Sequence, residues 1–336
     1  MTDVAVVILN WNGKEFLEKF LPGVVEHSGN AQVVVADNAS DDGSVAMLRQ
    51  CFPQIRIISL DKNYGFAGGY QHALKDVQAR YYVLLNSDIE VTPAWLKPMY
   101  SLLEENEAVA AVQPKILSYH RKNMFEYAGA AGGYIDRYGY PFCRGRIFGD
   151  VEEDKGQYDD VCDIFWATGA CMMVRSDIYH KVGGLDPKFF AHMEEIDLCW
   201  RMQHYGYRIM YTPESKVYHI GGGTLPPNSP FKVYLNFRNS LYLLYKNLPP
   251  EKKEQLLKAR KKLDMLAASR FLMAFNYQSY KAVFKGHREF EKIKSTLAFV
   301  EGRCSGVVES QTYPGSIVVD YFIHQRKKFT QLKWKK

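Results

Sequence analysis

Cysteine is scarce in this sequence, and its spacing excludes the usual cysteine-based sites. The 336 residues contain six cysteines, and no two have the C-x-x-C spacing of a zinc or redox site. Six cysteines in so long a chain make a poor disulfide framework, so we expect reduced, mostly buried thiols in a cytoplasmic protein. They are Cys51, Cys143, Cys162, Cys171, Cys199 and Cys304.

Long hydrophobic runs are also missing. Nowhere do about 18 apolar residues follow one another, which disfavours a membrane-spanning helix. The first apolar run, residues 4–9, is too short for a secretory signal and has no basic segment before it. Low-complexity segments and internal repeats are absent too, so a globular protein is expected.

The net charge of +6 hides an uneven distribution along the chain. Residues 246–294 contain 13 lysines and arginines against 5 acidic residues, and residues 326–336 contain 6 basic and no acidic ones. The rest of the chain is therefore acidic. A basic C-terminal region indicates either a solvated face or attraction to an anionic surface. Because no nucleic-acid-binding module accompanies it, we do not expect a nucleic-acid partner.

Strand-like and helix-like segments alternate at short spacing as far as residue 112. Buried-strand runs cover residues 4–9, 32–36, 55–59 and 81–85, and helical patterns cover 14–26, 44–51, 68–77 and 93–105. This alternation predicts an α/β fold with a doubly wound, mostly parallel sheet that binds ligands at the carboxyl ends of its strands. We interpret residues 119–160, rich in glycine, tyrosine and charge, as an irregular excursion with a hairpin and a long loop.

After Pro226-Pro227 the sequence becomes helical and basic. We therefore predict an α/β domain over residues 1–225 and a helical basic C-terminal region over 226–336. Within it, residues 265–275 (MLAASRFLMAF) are apolar except for Ser269 and Arg270. Two interpretations stay open: an interfacial helix attached to a membrane surface, or a helix packed on the main domain or in a dimer.

Polar clusters follow the predicted strands. The cluster that begins at Asp37 can contact a base or sugar, but taken alone it is better explained by an Asx turn with a helix N-cap at Ser44. Asp88, after residues 81–85, is either a turn residue or a ligand for a cation that bridges two phosphates. Residues 63–69 can bring backbone amides to a phosphate, but they lack the G-x-G-x-x-G spacing.

A second kind of cluster is the acidic triplet Glu194, Glu195 and Asp197. Three carboxylates in four residues repel one another unless a cation or a hydroxyl nucleophile engages them. On a helix, Asp197 can pair with Arg201 four residues later. The alternative is an acidic helix N-terminus stabilised by the helix dipole, which is plausible for Glu194.

Taken in order, these stretches resemble the inverting family 2 glycosyltransferases of the GT-A fold, especially the bacterial rhamnosyltransferase-like members. The resemblance covers roughly residues 4–225. The fold of this family implies that the domain has a Rossmann-like nucleotide-binding half. The matching stretches are VVILNWNG, VVVADNASDDGS, NYGFAGGYQHAL, YYVLLNSDIEV, ATGACMMVRSD, VGGLDPKFFAHMEEIDLCWR and YRIMYTPESKVYHIGG.

The resemblance implies a role for each matching position. Glu195 would be the catalytic base, and Asp88 with a neutral His219 would hold Mg²⁺ or Mn²⁺, because hard ions prefer oxygen ligands. The donor-binding residues would be Asn10, Trp11, Asp37, Asn38, Asn63, Gly65, Asn86 and Ser87, and the acceptor-side residues Gly169, Ala170 and Glu194.

Three positions depart from the family pattern. The D-x-D element is Asn86-Ser87-Asp88, which leaves one carboxylate for the metal. The base position, usually Asp, holds Glu195, whose longer side chain can still reach. Tyr70-Gln71 stands where an Asn pair is frequent, which puts the sugar contact in doubt.

The implied reaction moves a hexose or deoxyhexose from a nucleotide-diphosphate sugar to a glycan or polyprenyl-linked acceptor, in cell-surface polysaccharide synthesis. The nearest branch suggests rhamnose from a dTDP donor, and the expected location is the inner face of the plasma membrane. One rival is an NAD-type oxidoreductase, but the first turn lacks its paired glycines. The other is a non-catalytic nucleotide-sugar-binding protein on the same fold, against which the carboxylate set argues.

Overall fold

The computed structural model describes residues 3–221, 229–297 and 305–334. These residues form fourteen strands: β1 Val4–Asn10, β2 Gln32–Asp37, β3 Arg56–Ser59, β4 Tyr81–Asn86, β5 Ile89–Val91, β6 Val109–Ser118, β7 Gly133–Asp136, β8 Pro141–Cys143, β9 Arg146–Ile147, β10 Asp150–Val151, β11 Cys162–Ile164, β12 Cys171–Arg175, β13 Arg208–His219 and β14 Thr312–Tyr313.

The same residues form eleven α-helices: α1 Lys14–His27, α2 Ser44–Cys51, α3 Gly65–Ala73, α4 Leu96–Glu105, α5 Ser176–Lys181, α6 Glu194–His204, α7 Pro230–Asn247, α8 Pro250–Met273, α9 Tyr277–Ile293, α10 Ser305–Gln311 and α11 Ile317–Phe322. Short 3₁₀ helices are Leu74–Asp76, Pro187–Phe189, Lys294–Thr296 and Phe329–Gln331.

A mixed sheet forms the centre of the molecule. Its spatial order is β11-β13-β6-β12-β4-β1-β2-β3, and β5 pairs with β13. The strands β4, β1, β2 and β3 run parallel to one another, as the alternating pattern predicts. Beyond β4 the sheet becomes mixed, because β12 runs antiparallel to both β4 and β6. The α/β prediction is therefore confirmed, and the mostly parallel arrangement describes one half of the sheet.

Strand β1 shows why this sheet is buried on both faces. Val4, Val6 and Ile8 pack into one apolar layer, which also contains residues of α1 and α4. Ala5 and Val7 point the other way, into the layer that contains α3. Side chains alternate between the faces of a strand, so only a continuous apolar run can fill both layers. The register then places Asn10 beside Asp37, and Leu9 beside Asn86, at one edge.

Two predicted helix boundaries are wrong by three residues, and in both places the backbone gives the reason. The helix predicted from residue 68 starts at Gly65, whose φ of 72° suits glycine. The helix predicted from residue 93 starts at Leu96, because Ala94 has a φ of 58° and cannot lie in a right-handed helix.

The interpretation of residues 119–160 is right about a hairpin, since β7 and β8 pair antiparallel, but wrong in treating the rest as irregular. These residues contribute β7 to β10 of a second, five-stranded sheet, in which strands have only two to four residues. Its fifth strand, β14, comes from the C-terminal region and pairs in parallel with β7. Strands this short show too little alternation of polar and apolar residues to be predicted. The pairing of β7 with β14, some 175 residues away, leaves no local signal in the sequence.

Four cysteines are free thiols, as expected. Cys143, Cys171 and Cys199 are buried, and Cys51 is exposed. Burial raises the pKa of Cys199 to about 12, so this thiol stays protonated at neutral pH. Cys304 lies outside the described residues.

Helix α8 packs on the body of the protein through one side. Its buried Asp264 contacts Arg260 at 2.8 Å and His287 of α9 at 3.0 Å. Within residues 265–275, Ala268 is buried while Leu266, Met273 and Phe275 are exposed, so the membrane and the packing interpretations of this segment both stay predictions. Searched over the described residues, no helix combines the length and hydrophobicity that a bilayer crossing requires.

The division at residue 225 stays a prediction, because residues 222–228 lie outside the described ranges. Helix α7, beyond this segment, contacts the acidic triplet directly. Asp197 is fully buried and binds Arg201 at 2.8 Å, as predicted, and also Lys246 at 2.9 Å. Asn247 donates to the other carboxylate oxygen of Asp197 at 2.8 Å. A buried carboxylate that accepts from three donors is held firmly in place. Because two of these donors belong to α7, the contacts join α6 to α7.

Helix α7 also holds the turn that precedes α6. The amide nitrogen of the buried Asn239 lies 2.9, 2.8 and 2.8 Å from the carbonyl oxygens of Phe189, Ala191 and His192. Three residues of this turn have a positive φ: Phe190 (67°), His192 (70°) and Met193 (74°). Such non-glycine conformations cost about 1–3 kcal/mol each and persist only where surrounding contacts fix them. Asn239 supplies such contacts.

We expect Asn239→Leu to destabilise the protein by about 1–3 kcal/mol, because it removes the donor from buried carbonyls. Urea unfolding measures the loss. The matched control is Asn236→Leu, a partly exposed asparagine on the same helix, for which a change within about 0.5 kcal/mol is expected. Equal losses in the two variants would contradict the role given to Asn239.

Candidate functional site

A cleft of about 480 Å³ opens at the carboxyl ends of β1 and β4. It brings together residues that are far apart in the sequence and come from both halves of the sheet. Twelve of the fourteen predicted site residues line it: Trp11, Asn38, Asn63, Gly65, Asn86, Ser87, Asp88, Gly169, Ala170, Glu194, Glu195 and His219.

The other two, Asn10 and Asp37, lie beneath the cleft and do not line it. Both are buried, and the Asn10 amide donates to Asp37 Oδ2 at 2.9 Å. Asp37 Oδ1 accepts from the backbone amide of Ser40 at 2.9 Å. A Cβ on Gly13 would lie 2.6 Å from Asn10 Oδ1, so this corner leaves no room for a side chain there. The hydrogen bonds of Asn10 and Asp37 therefore help to fix the conformation of the loop that follows β2.

Asn38 connects that loop to the start of α3. Its amide nitrogen donates to Asn63 Oδ1 and to the Gly65 carbonyl, each at 3.0 Å. The side-chain oxygen of Asn38, Oδ1, accepts from the backbone amide of Tyr64 at 3.0 Å. Asn63 in turn accepts from the Gly65 amide at 2.8 Å. These contacts fix the glycine-rich segment as one wall of the cleft.

Asp88 and His219 meet because β5 pairs with β13. Ile89 is the register partner of His219, and His219 Nε2 lies 3.1 Å from Asp88 Oδ1. The other ring nitrogen, Nδ1, lies 3.2 Å from Glu126 Oε2. All three side chains are at most 9% exposed. The structure thus brings the predicted Asp88–His219 pair together and adds Glu126 behind it.

The charges in this group are strongly coupled. Burial alone would lower the pKa of His219, but Glu126 and Asp88 outweigh it and raise the pKa to about 10. Burial raises the pKa of Asp88, but the contact with His219 outweighs it, so the pKa is lowered. With only protein groups around it, His219 therefore favours the protonated form, and the neutral imidazole expected beside a metal stays a prediction. A cation bound at Nε2 would displace that proton.

Glu126 is a site residue that sequence reasoning missed. It accepts a hydrogen bond from the Ala128 amide, and a Cβ on Gly221 would lie 2.7 Å from its Oε1. Gly221 therefore leaves room for this carboxylate beside His219. Glu126 lies in the segment interpreted as an irregular excursion, and one acidic residue there carries no signal.

The residues present fit a divalent cation that shares its ligands with a substrate. Among the described residues, no group of three His, Cys, Asp or Glu side chains is arranged to hold a metal alone. Mg²⁺ and Mn²⁺ commonly use one or two protein ligands and take the rest from phosphate oxygens and water. Asp88 and His219 would supply the protein ligands at the cleft.

Glu194 and Glu195 begin α6 on the opposite side of the cleft. Each has one carboxylate oxygen, Oε2, that is buried and has no hydrogen-bond partner in the part of the chain that is described. Unpaired buried oxygens of this kind are costly and are common at functional sites. Gly169 lies beside them, since a Cβ there would be 3.9 Å from Glu195 Cβ and 2.9 Å from the Phe66 ring.

The two glutamates have unequal acidities. Burial, together with repulsion from Glu195, raises the pKa of Glu194 well above its usual range, which favours the protonated form of Glu194. Burial raises the pKa of Glu195 to about 7, and the backbone amides at the start of α6 offset only part of this rise. A carboxylate with a pKa near the working pH is well suited to accept a proton.

The strained turn before α6 locks the two walls of the cleft together. The Ala67 amide of α3 donates to the Phe190 carbonyl at 3.1 Å. A Cβ on Gly65 would lie 2.5 Å from the Phe190 ring, so only glycine permits this approach. The wall that carries the glycine-rich segment and the wall that carries the glutamates are therefore in direct contact.

Nine further residues line the cleft and were not predicted as site residues: Leu9, Phe66, Ala128, Thr168, Phe190, Ala191, His192, Phe231 and Lys232. Burial and the nearby Lys232 lower the pKa of His192 to about 4, so this imidazole is neutral. Burial also lowers the pKa of Lys232, which lies in the first turn of α7. Phe231 and Lys232 come from the C-terminal region, beyond the stretches that carried the resemblance.

The chain is similar in sequence to several named transferases over about two thirds of its length. A hexosyltransferase of low-salt glycan biosynthesis, Agl10 from Haloferax volcanii, is 24% identical over 71% of this chain and 74% of its own length. An N-acetylglucosaminyl-diphospho-decaprenol L-rhamnosyltransferase from Mycobacterium tuberculosis is 23% identical over 65% and 76%. The rhamnosyltransferase WbbL of Escherichia coli is 24% identical over 64% and 83%.

Solved structures show the same fold at low identity. GalNAc-T7 with UDP, GalNAc and Mn²⁺ superposes with a TM-score of 0.55 at 14% identity, over 72% of this chain and 47% of that one. This chain thus spans about half of that protein. Residues 1–349 of TarS from S. aureus give a TM-score of 0.54 at 13% identity, over 88% and 83%. Both are glycosyltransferases of the GT-A fold, so the predicted fold is confirmed.

The model of the family described as Glycosyl transferase family 2 matches residues 5–183, which is more than half of the chain. The matched residues include the strands that end at Asn10, Asp37 and Asn86 and the N-S-D element after them. With the cleft assembled from those strand ends, this match identifies the chain as a member of glycosyl transferase family 2.

Proposed function

We propose that the protein transfers a hexose or deoxyhexose from a nucleotide-diphosphate sugar to an acceptor hydroxyl, with inversion at the anomeric carbon. One observation carries the proposal. The Asp88–His219 pair and the unpaired Glu195 carboxylate line the same cleft of about 480 Å³. Such a cleft can hold a diphosphate beside a hydroxyl that is losing its proton.

The donor side takes the nucleotide and its diphosphate. The exposed ring of Trp11 lies at the cleft and offers a stacking surface for a nucleobase. Asn86 and Ser87 line the cleft next to Asp88 and would contact the nucleotide. When bound at Asp88 and His219, Mg²⁺ or Mn²⁺ would neutralise charge on the leaving diphosphate. GalNAc-T7 and a mannosyltransferase of Pyrobaculum calidifontis (TM-score 0.51), both solved with Mn²⁺, support the choice of a divalent ion.

The acceptor side supplies the base. Glu195 accepts the proton of the acceptor hydroxyl as that oxygen bonds to the anomeric carbon and the bond to the diphosphate breaks. Gly169 and Ala170 line the cleft on this side and leave room for the acceptor. The protonated Glu194 would donate a hydrogen bond instead of competing for the proton. A single displacement of this kind inverts the configuration.

The relatives favour a particular substrate class. Those from Mycobacterium tuberculosis and Escherichia coli are named rhamnosyltransferases, and the first is named for a diphospho-decaprenol-linked acceptor. We therefore favour rhamnose as the sugar and a glycan or polyprenyl-linked acceptor, in polysaccharide synthesis at the cytoplasmic face of a membrane. A non-catalytic nucleotide-sugar-binding protein is the alternative, and it would bind donors without releasing nucleotide. Nucleotide release from a panel of donors separates the two.

Glu195→Gln should lower the rate of donor turnover by on the order of 10² to 10⁴, the range for loss of a general base. Donor affinity should stay close to wild type, because the substitution keeps size and hydrogen bonding. Glu194→Gln is the matched control and should have a milder effect, since Glu194 is already protonated. Turnover of the two variants is measured side by side. An active Glu195→Gln with an inactive Glu194→Gln would transfer the base role to Glu194.

The pH profile should show an acidic limb set by Glu195. Only its ionised form accepts a proton, so kcat/KM should fall about tenfold per pH unit below a midpoint of about 7. Glu194→Gln should keep this limb. A wild-type profile that is flat from pH 5 to 8 would show that no group with the raised pKa of Glu195 controls the reaction.

Measurements of Mn²⁺ binding test the metal site without an assay of activity. Asp88→Asn should abolish Mn²⁺ binding in the presence of a nucleoside diphosphate, measured by calorimetry. Glu126→Gln should weaken it by about 10- to 100-fold, as expected for a carboxylate that orients a metal-binding histidine. Glu153→Gln, an exposed carboxylate elsewhere, is the control. Unchanged Mn²⁺ affinity in Asp88→Asn would refute the assignment.

A further inference from the structure

The turn between α8 and α9 is unusually apolar for an exposed surface. Met273, Phe275 and Tyr277 are 71%, 78% and 53% exposed, and Leu272 beside them is exposed as well. We call these four residues the tip. Phe275 has a φ of 56°, which places the tip at a sharp reversal between the two helices. Contiguous exposed apolar side chains of this kind mark interaction sites more often than chance.

The tip is a fixed feature and not a free amphipathic helix. Below it, Asp264 of α8 binds Arg260, His287 of α9 and Tyr140 of the second sheet's connecting loop. Gly286 of α9 allows close approach to α7, since a Cβ there would lie 3.0 Å from the Arg238 backbone nitrogen. The two helices are therefore anchored to the body, and the tip projects in a defined direction.

The charge around the tip has one sign. Residues 265–288 contain four lysines and arginines and no aspartate or glutamate. Three of these cations, Lys281, Lys285 and Arg288, line a groove of about 670 Å³ together with Phe231, Tyr234 and Phe284. An apolar tip beside a basic, aromatic groove is complementary to a surface that has an apolar interior and anionic groups above it.

The groove is continuous with the catalytic cleft. Phe231, in the first turn of α7, lines both the groove and the cleft. A surface that contacts the groove therefore lies beside the mouth of the cleft. Two independent features, apolar exposure at the tip and an excess of positive charge in the groove, thus point to the same side of the molecule. Glu289 opposes this charge only in part, since it interacts with Lys285 and Arg288.

We propose that the tip and the groove dock on an anionic lipid bilayer, with the tip inserted among the acyl chains and the three cations at the phosphate level. A second copy of the chain fits this surface less well. In a twofold contact the same patch meets itself, so the cations of one groove would face those of the other. Resting on the proposed function, docking would present the cleft to an acceptor embedded in the membrane.

Vesicle flotation of the full-length protein tests the docking without any donor or acceptor, so its outcome is separate from that of the proposed reaction. The protein should float with vesicles of phosphatidylcholine and phosphatidylglycerol at low salt. It should float much less with phosphatidylcholine alone, or when salt screens the charges. Lys281→Gln/Lys285→Gln should weaken binding to anionic vesicles by about fivefold for each charge removed.

The double variant Met273→Ser/Phe275→Ser should lower vesicle partitioning by on the order of a hundredfold, because each serine removes an apolar side chain from the lipid. The matched control is Val161→Ser/Tyr205→Ser, which makes the same polarity change at two exposed apolar residues of the α/β part. This control should float like wild type.

Three results would overturn the proposal. The first is no flotation of the wild type with anionic vesicles at low salt. The second is equal flotation of the tip variant and its control. The third is a dimer in analytical ultracentrifugation that the tip variant dissociates, without vesicle binding, which would make the tip a contact between copies.

Discussion

The hydrogen bonds from Asn239 to the turn before α6 are the constraint on which the site depends. One buried amide lies within 2.9 Å of three carbonyl oxygens, in a turn where three non-glycine residues have a positive φ. The turn decides where α6 begins, and therefore where the Glu195 carboxylate lies. Through Phe190 it also touches the start of α3, so both walls of the cleft are set by the same strained residues. The energy stored in the turn is offset by packing of α7.

The carboxyl groups that line the cleft have pKa values shifted in opposite directions. The contact with His219 outweighs burial at Asp88 and lowers its pKa, so this side chain stays ionised and suited to a cation. Burial raises the pKa of both glutamates on α6, because neither forms, within the described residues, an ion pair like that of Lys246 with Asp197. Environments that separate the pKa values of neighbouring acids are a common way to divide roles in an active site. The proposed reaction would use the ionised side for the donor and the side with raised pKa values to accept the proton of the acceptor.

The sequence predicts the parts of this protein whose signals are local. Continuous apolar runs identify the parallel strands, and the polar residues after them are brought together because parallel strands end at one edge. The pairing of Asp197 with Arg201 follows from their spacing on a helix. The resemblance then selects Asp88, His219 and Glu195 from among several polar clusters, a choice that composition and spacing alone leave open.

What the sequence does not predict depends on contacts across long separations. Glu126 reaches His219 from a segment of short strands, and Asn239 reaches the catalytic turn from a helix beyond the matched stretches. The burial of Asn10 and Asp37 beneath the cleft could not be foreseen either, because a polar residue at a strand end can point up to a ligand or down into the loop below it. In each case the fold, and not the residue type, decides the role.

The central claim is that Glu195 alone is poised to accept a proton at neutral pH. Carbon-13 NMR of the glutamate side-chain carboxyl groups, assigned with Glu195→Gln and Glu194→Gln, measures this directly. The account predicts that the Glu195 signal titrates with a midpoint of about 7 while the Glu194 signal stays in its protonated position. A Glu195 carboxyl that titrates in the usual range, or an ionised Glu194 at neutral pH, would contradict it.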